Sequence, residues 1–312
     1  MLCLGELPDP VPGPGEVRVR IHCSGVNPSD AKARAGSRGM PFPLIVPHSD
    51  GAGVIDQVGP GVPATRIGER VWVWNAAWNR PMGTAAQFVA LPSAQAVRLP
   101  DQVGFDVGAC LGIPALTALH AMLVAGGVRG KTVLVNGGTG AVGFYAVQFA
   151  RLLGARQVLA TVGSPEKAAL CLQAGADDCF QYRSVDVTQA VRERTAGRGV
   201  DRVIEVDVAA NGALLPSLLR QGGEAVVYGS GAPTFTLPFG PCIARMLSLH
   251  FFIVYELDPE QRQAALSLLQ AWLHADLLIH RIDRHLALPE TALAHELVLS
   301  GQAAGKLLVT IE

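Results

Sequence analysis

Residues 132–154 constrain the fold of this chain more than any other segment, because an apolar strand pattern runs directly into a glycine turn and a helix pattern. The segment reads TVLVNGGTGAVGFYAVQFARLLG and contains G-x-G-x-x-G. In a dinucleotide-binding turn, one glycine makes the tight turn, one lets the backbone approach a pyrophosphate, and one allows close packing of helix on strand. The helix that follows offers free N–H groups and its positive dipole end to phosphates. The predicted phosphate-binding residues are Gly138, Thr139, Gly140, Ala141, Val142 and Gly143.

The glycine turn belongs to a series of alternating strand and helix patterns. The strand patterns are 132–136, 157–162, 179–181, 201–206 and 224–229, and the helix patterns are 141–153, 165–174, 186–196 and 211–220. Such alternation predicts a parallel sheet covered by helices on both faces. We therefore expect a Rossmann-type, doubly wound α/β domain in the middle of the chain.

A different pattern fills the N-terminal third of the chain. Alternating apolar and polar residues at 17–23, 54–58 and 70–74 are separated by clusters of proline and glycine, as in a β-rich domain. After the Rossmann-type region come a helix pattern at 259–273 and a last strand pattern at 306–311. With 312 residues, the chain is long enough for two domains.

Charge and cysteine content argue against several classes of partner. The net charge is −1 and no run of five like charges occurs, so neither nucleic acid nor an anionic membrane is an expected partner. The six cysteines stand singly without C-x-x-C, which favours neither a disulfide framework nor a zinc knuckle. An acid at Glu6 and four nearby prolines are wrong for a signal peptide, and Asn136 and glycines interrupt the uncharged stretch 132–150. We expect a cytoplasmic protein that binds a small molecule.

The end of the second Rossmann strand bears on the choice of cofactor. NAD-selective domains carry Asp or Glu there to bind the ribose hydroxyls, whereas this chain reads Thr161, Val162, Gly163, Ser164. Lys167 follows in the next helix pattern, where it can meet a 2′-phosphate. NADPH is therefore the expected cofactor, and the alternative is that Lys167 is a solvated surface lysine.

The chain as a whole resembles the medium-chain dehydrogenase/reductase superfamily, specifically its quinone oxidoreductase (zeta-crystallin-like) branch. The segments that carry the resemblance are SGVNPSD (24–30), PHSDGAGVIDQVG (47–59), IGERV (67–71), GIPALTALHAM (112–122), VNGGTGAVG (135–143) and AAGKLLV (303–309). The resemblance implies a GroES-like catalytic domain formed by residues 1–101 and 258–312, and a Rossmann NADPH-binding domain at 102–257. It also implies that substrate and nicotinamide meet in a cleft, and that the protein is a homodimer formed through edge strands of the Rossmann sheet.

The same resemblance implies roles for individual residues. The adenosine 2′-phosphate would be held by Gly163, Ser164, Lys167 and Tyr182. The nicotinamide side would be surrounded by Asn27, Asp30, Thr117, Gly229, Ser230, Phe252 and Val254. Of these, Asn27, Asp30 and Thr117 are the expected catalytic residues, and Lys306 is expected to reach toward the cofactor.

Three residues differ from those of the zinc-dependent relatives in the same superfamily. Asn27 stands where those relatives have a cysteine ligand, and Ser49 and Asp50 stand in place of their His and Glu. His48 lies one residue too early to be the missing ligand, and we expect it to be a turn or core residue. The sequence therefore predicts no metal, and without a Lewis acid hydride is expected to pass to an acceptor that is already electron-poor, such as a quinone or an enone.

The chain also departs from its own branch in two ways. Where many members carry tyrosines after the N-x-x-D motif, this chain has Lys32 and Arg38. These side chains either line the substrate pocket and favour an acceptor with a carboxylate, or extend to solvent. The chain begins late relative to the branch, so the first strand is missing and an unpaired sheet edge is expected.

Three functions remain open from the sequence. The first is an NADPH-dependent quinone reductase, the second an NADPH-dependent enone or acrylate reductase, and the third a non-catalytic NADPH-binding protein of crystallin or RNA-binding type. The quinone reductase is the primary prediction. A zinc alcohol dehydrogenase is a more distant alternative.

Overall fold

The computed structural model describes residues 2–37 and 39–312. The chain divides into two compact units. Unit 1 comprises the chain up to Pro114 together with Gln270–Glu312, and unit 2 comprises Ala115–Leu269. The domain limits expected from the sequence, after Asp101 and after Leu257, stay a prediction.

Strands and helices follow one another along the described chain. The strands are β1 (Glu16–Val26), β2 (Asp50–Val58), β3 (Arg70–Val73), β4 (Phe88–Pro92), β5 (Ala96–Arg98), β6 (Thr132–Val135), β7 (Gln157–Val162), β8 (Asp178–Gln181), β9 (Val200–Glu205), β10 (Leu219–Val227), β11 (Ser248–Phe251), β12 (Ile282–Ala287) and β13 (Lys306–Thr310). The helices are α1 (Pro28–Arg34), α2 (Phe105–Gly108), α3 (Leu116–Leu123), α4 (Ala141–Leu152), α5 (Pro165–Gln173), α6 (Val187–Arg194), α7 (Val208–Asn211), α8 (Leu215–Leu218), α9 (Phe239–Ala244), α10 (Pro259–His274) and α11 (Thr291–Leu299). No helix of this described part is long and apolar enough to cross a membrane.

Unit 1 is built around one mostly antiparallel sheet in the order β12-β13-β1-β2-β3-β5, with β4 also paired to β1. Strand β1 holds the sheet together, since it pairs antiparallel with β2, β4 and β13. Its alternating sequence explains this position: Val17, Val19 and Ile21 are buried in the core, while Arg18 ion-pairs with Asp56 at 2.9 Å. This is the β-rich, GroES-like fold that the sequence predicts.

Unit 2 contains a six-stranded sheet in the order β11-β10-β9-β6-β7-β8. All of its strand pairs are parallel. Starting from β8, the strands follow the doubly wound Rossmann order, in which the direction of winding reverses between β6 and β9. Ligands of such sheets bind beyond the carboxyl ends of the strands at this reversal, and the glycine turn follows β6 there. The predicted Rossmann fold is confirmed.

The predicted helix at 211–220 is wrong in detail. The structure has two short helices, α7 and α8, and β10 already begins at Leu219. Pro216 lies in the first turn of α8, where a proline is tolerated, so the chain turns twice before entering the sheet.

Strands β11 and β12 were not predicted from the sequence. Both are short and partly exposed, and their residues lack a buried apolar alternation. They form because a neighbouring strand offers a free edge: β10 for β11, and β13 for β12.

Candidate cofactor and active site

The glycine turn after β6 requires its glycines for steric reasons. A Cβ at Gly138 would lie 2.7 Å from Ala160 Cβ and Cys171 Sγ, and one at Gly143 would lie 2.1 Å from the carbonyl oxygen of Gly137. The turn therefore packs directly onto β7 and α5, and α4 starts immediately above it. These contacts fit a turn that presents its backbone to phosphates.

Gly140 differs from these two glycines. It precedes α4, and a Cβ there would find only the carbonyl oxygen of Gly137 at 3.4 Å. The space beside Gly140 is therefore open, as the close approach of a phosphate to the backbone requires.

A buried carboxylate that the sequence analysis did not identify fixes the surroundings of the turn. Glu205, fully buried at the end of β9, accepts from Asn136 Nδ2 at 2.6 Å, from the backbone N–H of Asp207 at 2.6 Å and from Asn211 Nδ2 at 2.9 Å. Three donors compensate its burial. Burial and the nearby Glu205 charge together raise the pKa of Tyr228. The sequence signal that could have identified Glu205 is an acidic residue at the end of a buried strand pattern.

Thr161 connects the turn to β7. Its hydroxyl donates to Asn136 Oδ1 at 3.2 Å and accepts from the backbone N–H of Gly137 at 3.0 Å, and its carbonyl oxygen accepts from the N–H of Gly138 at 2.9 Å. The turn is thus held in one conformation by side chains from two neighbouring strands, which is a preorganised anion site.

The four residues expected around the 2′-phosphate lie near the end of β7. A Cβ at Gly163 would lie 3.2 Å from the hydroxyl of Tyr182, which is half exposed. Ser164 precedes α5, and Lys167 lies in the first turn of that helix. The structure thus brings Gly163 and Tyr182 together, with Ser164 and Lys167 immediately following in the chain.

Two charged residues at this corner were missed from the sequence. The guanidinium of Arg183 lies 5.8 Å from the centre of the Tyr182 ring, within cation–π range. Glu166, in the first turn of α5, hydrogen-bonds with Ser164, and this bond lowers the pKa of its carboxyl. The corner therefore carries one more cation than expected and also one carboxylate.

The residues of unit 2 expected around the nicotinamide form two groups, one near helix α3 and one directly after β10. Thr117 is buried in α3, and one turn further along this helix the ring of His120 contacts Phe252 in a tilted arrangement, with ring centres 4.5 Å apart. Val254 is also buried. Gly229 is required as glycine because a Cβ would lie 2.2 Å from the carbonyl oxygen of Val206. Separately, Ser230 Oγ donates to the carbonyl oxygen of Ala232 at 2.6 Å.

In unit 1 the sheet register brings three distant segments together. Asn27 directly follows β1, Asp50 begins β2, and Lys306 begins β13. In the sheet register, Gly25 of β1 pairs with Asp50 of β2. Val26 of β1 pairs with Leu307 of β13, which directly follows Lys306. The three side chains therefore meet at one end of the sheet, and we call them the Asn27–Asp50–Lys306 cluster.

The cluster is hydrogen-bonded throughout. Lys306 Nζ donates to Asn27 Oδ1 at 2.5 Å and to Asp50 Oδ2 at 3.0 Å. Asn27 Nδ2 donates to the same Asp50 oxygen at 2.8 Å, and the other oxygen accepts from the backbone N–H of Ile113 at 2.8 Å. All three side chains are almost completely buried. A buried ion pair is tolerated only with such complete pairing.

Asp30 adjoins the cluster. One of its carboxyl oxygens accepts from the backbone N–H of Asn27 at 2.8 Å. Burial, with the nearby Asp50 charge second, raises the pKa of Asp30 to about 7. Asp30 is therefore poised to exchange a proton near neutral pH.

The donor set at this place does not suit a divalent metal. Asn27 and Asp50 are already taken by the Lys306 ammonium, whose positive charge would repel a second cation. Within residues 2–37 and 39–312, no group of three or more His, Cys, Asp and Glu side chains is arranged to hold a metal ion.

His48 is a buried core residue, as expected, and its backbone has a φ of 77°. Thr84 Oγ1 donates to the carbonyl oxygen of Asp50, so Ser24 Oγ donates to Thr84 and must accept from His48 Nδ1, 2.8 Å away. Burial lowers the pKa of both His48 and His295, which favours their neutral forms. With its Nδ1 as the donor, a neutral His48 accepts at Nε2 from His295 Nε2, 2.8 Å away.

Of the two residues expected to make the pocket more basic, Lys32 is exposed on α1. Its exposure favours the alternative in which this side chain extends toward solvent. Arg38 lies outside the described residues.

A GroES-like unit and a Rossmann unit with a phosphate-binding turn define a nucleotide-dependent oxidoreductase. Comparison with known proteins agrees: the family model "Alcohol dehydrogenase GroES-like domain" matches residues 13–101, and "Zinc-binding dehydrogenase" matches residues 141–271. Human quinone oxidoreductase is 31% identical over 307 residues, which is 97% of this chain and 91% of the human protein. The mouse protein of the same name is 32% identical over 308 residues, with the same shares covered.

Solved structures also place the chain among nucleotide-dependent dehydrogenases and reductases. One described as a NAD-dependent alcohol dehydrogenase superposes with a TM-score of 0.90 at 28% identity, over 99% of this chain and 95% of the other. A mycobacterial protein solved in complex with NADPH superposes with a TM-score of 0.88 at 27% identity, over 98% and 95%. The chain belongs to the medium-chain dehydrogenase/reductase superfamily, in its quinone oxidoreductase branch. It is an oxidoreductase.

Proposed function

We propose that this protein is an NADPH-dependent quinone reductase that works without zinc. The observation that carries the proposal is the Asn27–Asp50–Lys306 cluster, in which an ammonium binds the two residues that stand in place of a cysteine ligand and a glutamate of zinc-dependent relatives. The names of the human and mouse relatives support the substrate class.

The preference for NADPH is supported by the corner at the end of β7. No acid ends that strand, and Ser164, Lys167 and Arg183 offer a hydroxyl and two cations to a 2′-phosphate. The mycobacterial structure with NADPH agrees, whereas the structure described as NAD-dependent and the carboxylate of Glu166 are the opposing observations.

When bound, the cofactor supplies a hydride. The glycine turn and the N-terminus of α4 hold its phosphates through backbone N–H groups. In unit 1, the Lys306 ammonium of the cluster offers a hydrogen-bond donor to the oxygen of an acceptor, and Asp30 holds an exchangeable proton beside Asn27. Such help suffices for a quinone, whose carbonyls already make its ring electron-poor.

A screen of NADPH oxidation over quinones, enones and acrylates tests the proposal. We expect turnover with quinones at a higher kcat/KM than with any enone or acrylate, and at least tenfold preference for NADPH over NADH. Reduced enone as the only product would instead identify a double-bond reductase. Tight NADPH binding without oxidation of any acceptor would identify a non-catalytic binding protein.

The proposal includes a homodimer formed through β11. This strand is an edge of the unit 2 sheet, and exposed apolar side chains surround it. They are Phe239, Ile243, Met246, Phe251 and Ile253. An exposed strand edge with such a surface is a typical pairing site. Light scattering should give twice the mass of the chain, and Phe251→Glu should give the monomer.

The proposal also places the protein in the cytoplasm. All six cysteines are free, and Cys23, Cys110 and Cys171 are buried, which suits a reducing compartment. Cell fractionation with a periplasmic or secreted marker tests this placement.

A further inference from the structure

The Lys306 ammonium has one donor more than its cluster uses. We propose that Lys306 is a catalytic residue: its third N–H donates to an oxygen of the acceptor and stabilises the negative charge that hydride transfer leaves there. This inference rests on the proposed quinone reductase function and deepens it, because it assigns a role to a residue that the resemblance had placed at the cofactor.

The hydrogen-bond count is the first support. An ammonium can donate three hydrogen bonds. Among the described residues, Lys306 Nζ donates to two acceptors, Asn27 Oδ1 and Asp50 Oδ2. A third acceptor in the form of a substrate oxygen would complete its coordination.

The ammonium is also held in place before any substrate arrives. Asp50 is fixed from the other side by the N–H of Ile113, and Asn27 is fixed by its own bond to Asp50. A donor whose position is fixed in advance stabilises a developing charge without the cost of reorganisation.

Two glycines make room for this arrangement. A Cβ at Gly25 would lie 2.8 Å from Lys306 Cε and 2.1 Å from the carbonyl oxygen of Ala109. A Cβ at Gly112 would lie 2.2 Å from Asp50 Oδ1. The backbone is therefore shaped around the lysine stem and the carboxylate, which a pair placed only for surface charge balance would not require.

Burial and exposure point the same way. The side chains of Lys306 and Asp50 are 3% and 0% exposed, so the ammonium lies in a poorly hydrated place. A buried ion pair is also a weak device for stability, since apolar residues of similar volume often serve as well or better. In a poorly hydrated site, by contrast, one cation acts strongly on a neighbouring oxyanion.

The chemical step balances with the proposed substrate. NADPH transfers a hydride, which is one proton with two electrons, to the quinone. The products are NADP⁺ and the hydroquinone monoanion. Lys306 donates a hydrogen bond to the anionic oxygen and keeps its proton. A proton from water then gives the hydroquinone.

Two variants isolate the ammonium. Lys306→Met alone would leave the Asp50 carboxylate buried without a partner, so the informative comparison is Asp50→Asn against the double variant Asp50→Asn/Lys306→Met. These two proteins differ only at residue 306. Because Asp50→Asn leaves the ammonium buried without its carboxylate, which favours the neutral amine, kcat is followed down to a pH at which this amine is protonated. For each, kcat is measured over a series of benzoquinones of decreasing reduction potential, with NADPH Kd from quenching of protein fluorescence and with thermal unfolding as a check on folding.

We expect the double variant to lose ~100-fold in kcat on the poorest acceptors relative to Asp50→Asn, and far less on the best ones. A plot of log kcat against acceptor potential then becomes steeper, while NADPH Kd and Tm stay the same. A merely structural lysine would not change that slope.

Parallel plots for the two variants would overturn the inference, and so would a loss of the same size on every acceptor. A loss of NADPH affinity with an unchanged slope would show that Lys306 acts in cofactor binding rather than on the acceptor. These outcomes leave the proposed function intact, since wild-type turnover is measured independently. Failure of the wild-type protein on all quinones would remove the proposed function and the inference together.

Discussion

The glycine turn of unit 2 and the Asn27–Asp50–Lys306 cluster of unit 1 are built in opposite ways. The turn is a local structure: a strand, a turn and a helix that are contiguous in the sequence. The cluster joins residues from three strand ends that are up to 279 positions apart. Local sequence therefore builds the glycine turn, whereas sheet register builds the cluster.

The largest effect is expected at the local site, because Gly143 is surrounded by backbone atoms. Gly143→Ala places a methyl group against the carbonyl oxygen of Gly137, which cannot move without disrupting the turn. We expect the free energy of unfolding to fall by ~2–3 kcal/mol and NADPH binding to be lost. Denaturant unfolding and fluorescence titration measure the two effects.

Gly140→Ala is the matched control for this change. The new methyl group meets open space, so the fold should keep its Tm while NADPH affinity falls. If Gly143→Ala and Gly140→Ala changed Tm and NADPH affinity by the same amounts, the two glycines would not have separate roles in packing and phosphate binding.

The next largest effect is expected at the end of β7. Lys167→Glu replaces a cation by an anion and should weaken NADPH by ~100-fold while NADH changes little. Isothermal titration with both cofactors measures the ratio. Lys32→Glu, the same charge change on α1, is the control, and an equal loss for both cofactors would contradict a phosphate contact.

At the cluster, Asn27→Ala removes one acceptor from Lys306 and one donor from Asp50. We expect kcat to fall by ~10-fold or more, because the ammonium is no longer held in place. NADPH Kd should stay within a factor of two. Full activity in this variant would separate Asn27 from the reaction.

The last prediction concerns stability alone: the protein loses stability in acid through two buried histidines of unit 1. Burial lowers the pKa of His295 to about 4, with a minor contribution from Arg34, and burial also lowers the pKa of His48. Because the unfolded chain binds these protons at higher pH than the folded protein, the stability that depends on these two histidines is complete above about pH 6.5 and falls toward pH 4. Each histidine costs up to ~1.4 kcal/mol per pH unit in that window.

Denaturant unfolding between pH 7 and pH 5 measures this slope. His295→Gln is the matched variant, since its amide can still donate to His48 but does not titrate. A flatter slope in this variant is the expected result, and an unchanged slope would assign the acid sensitivity to other groups.

Much of the fold was predictable because its signals are local. The strand and helix patterns at 132–136, 141–153 and 157–162 agree closely with β6, α4 and β7. The pattern failed at 211–220, and β11 and β12 were missed, because their structure depends on neighbouring strands rather than on their own residues. Cofactor preference, the role of zinc and the individual site residues stay predictions.

The sequence by itself determined the family and the Rossmann turn. Only the tertiary structure decided that Lys306 makes a buried ion pair with Asp50 and donates a hydrogen bond to Asn27. The reason is physical. A hydrogen bond between residues 27 and 306 exists only once β1 and β13 pair in one register, and no local pattern encodes that register.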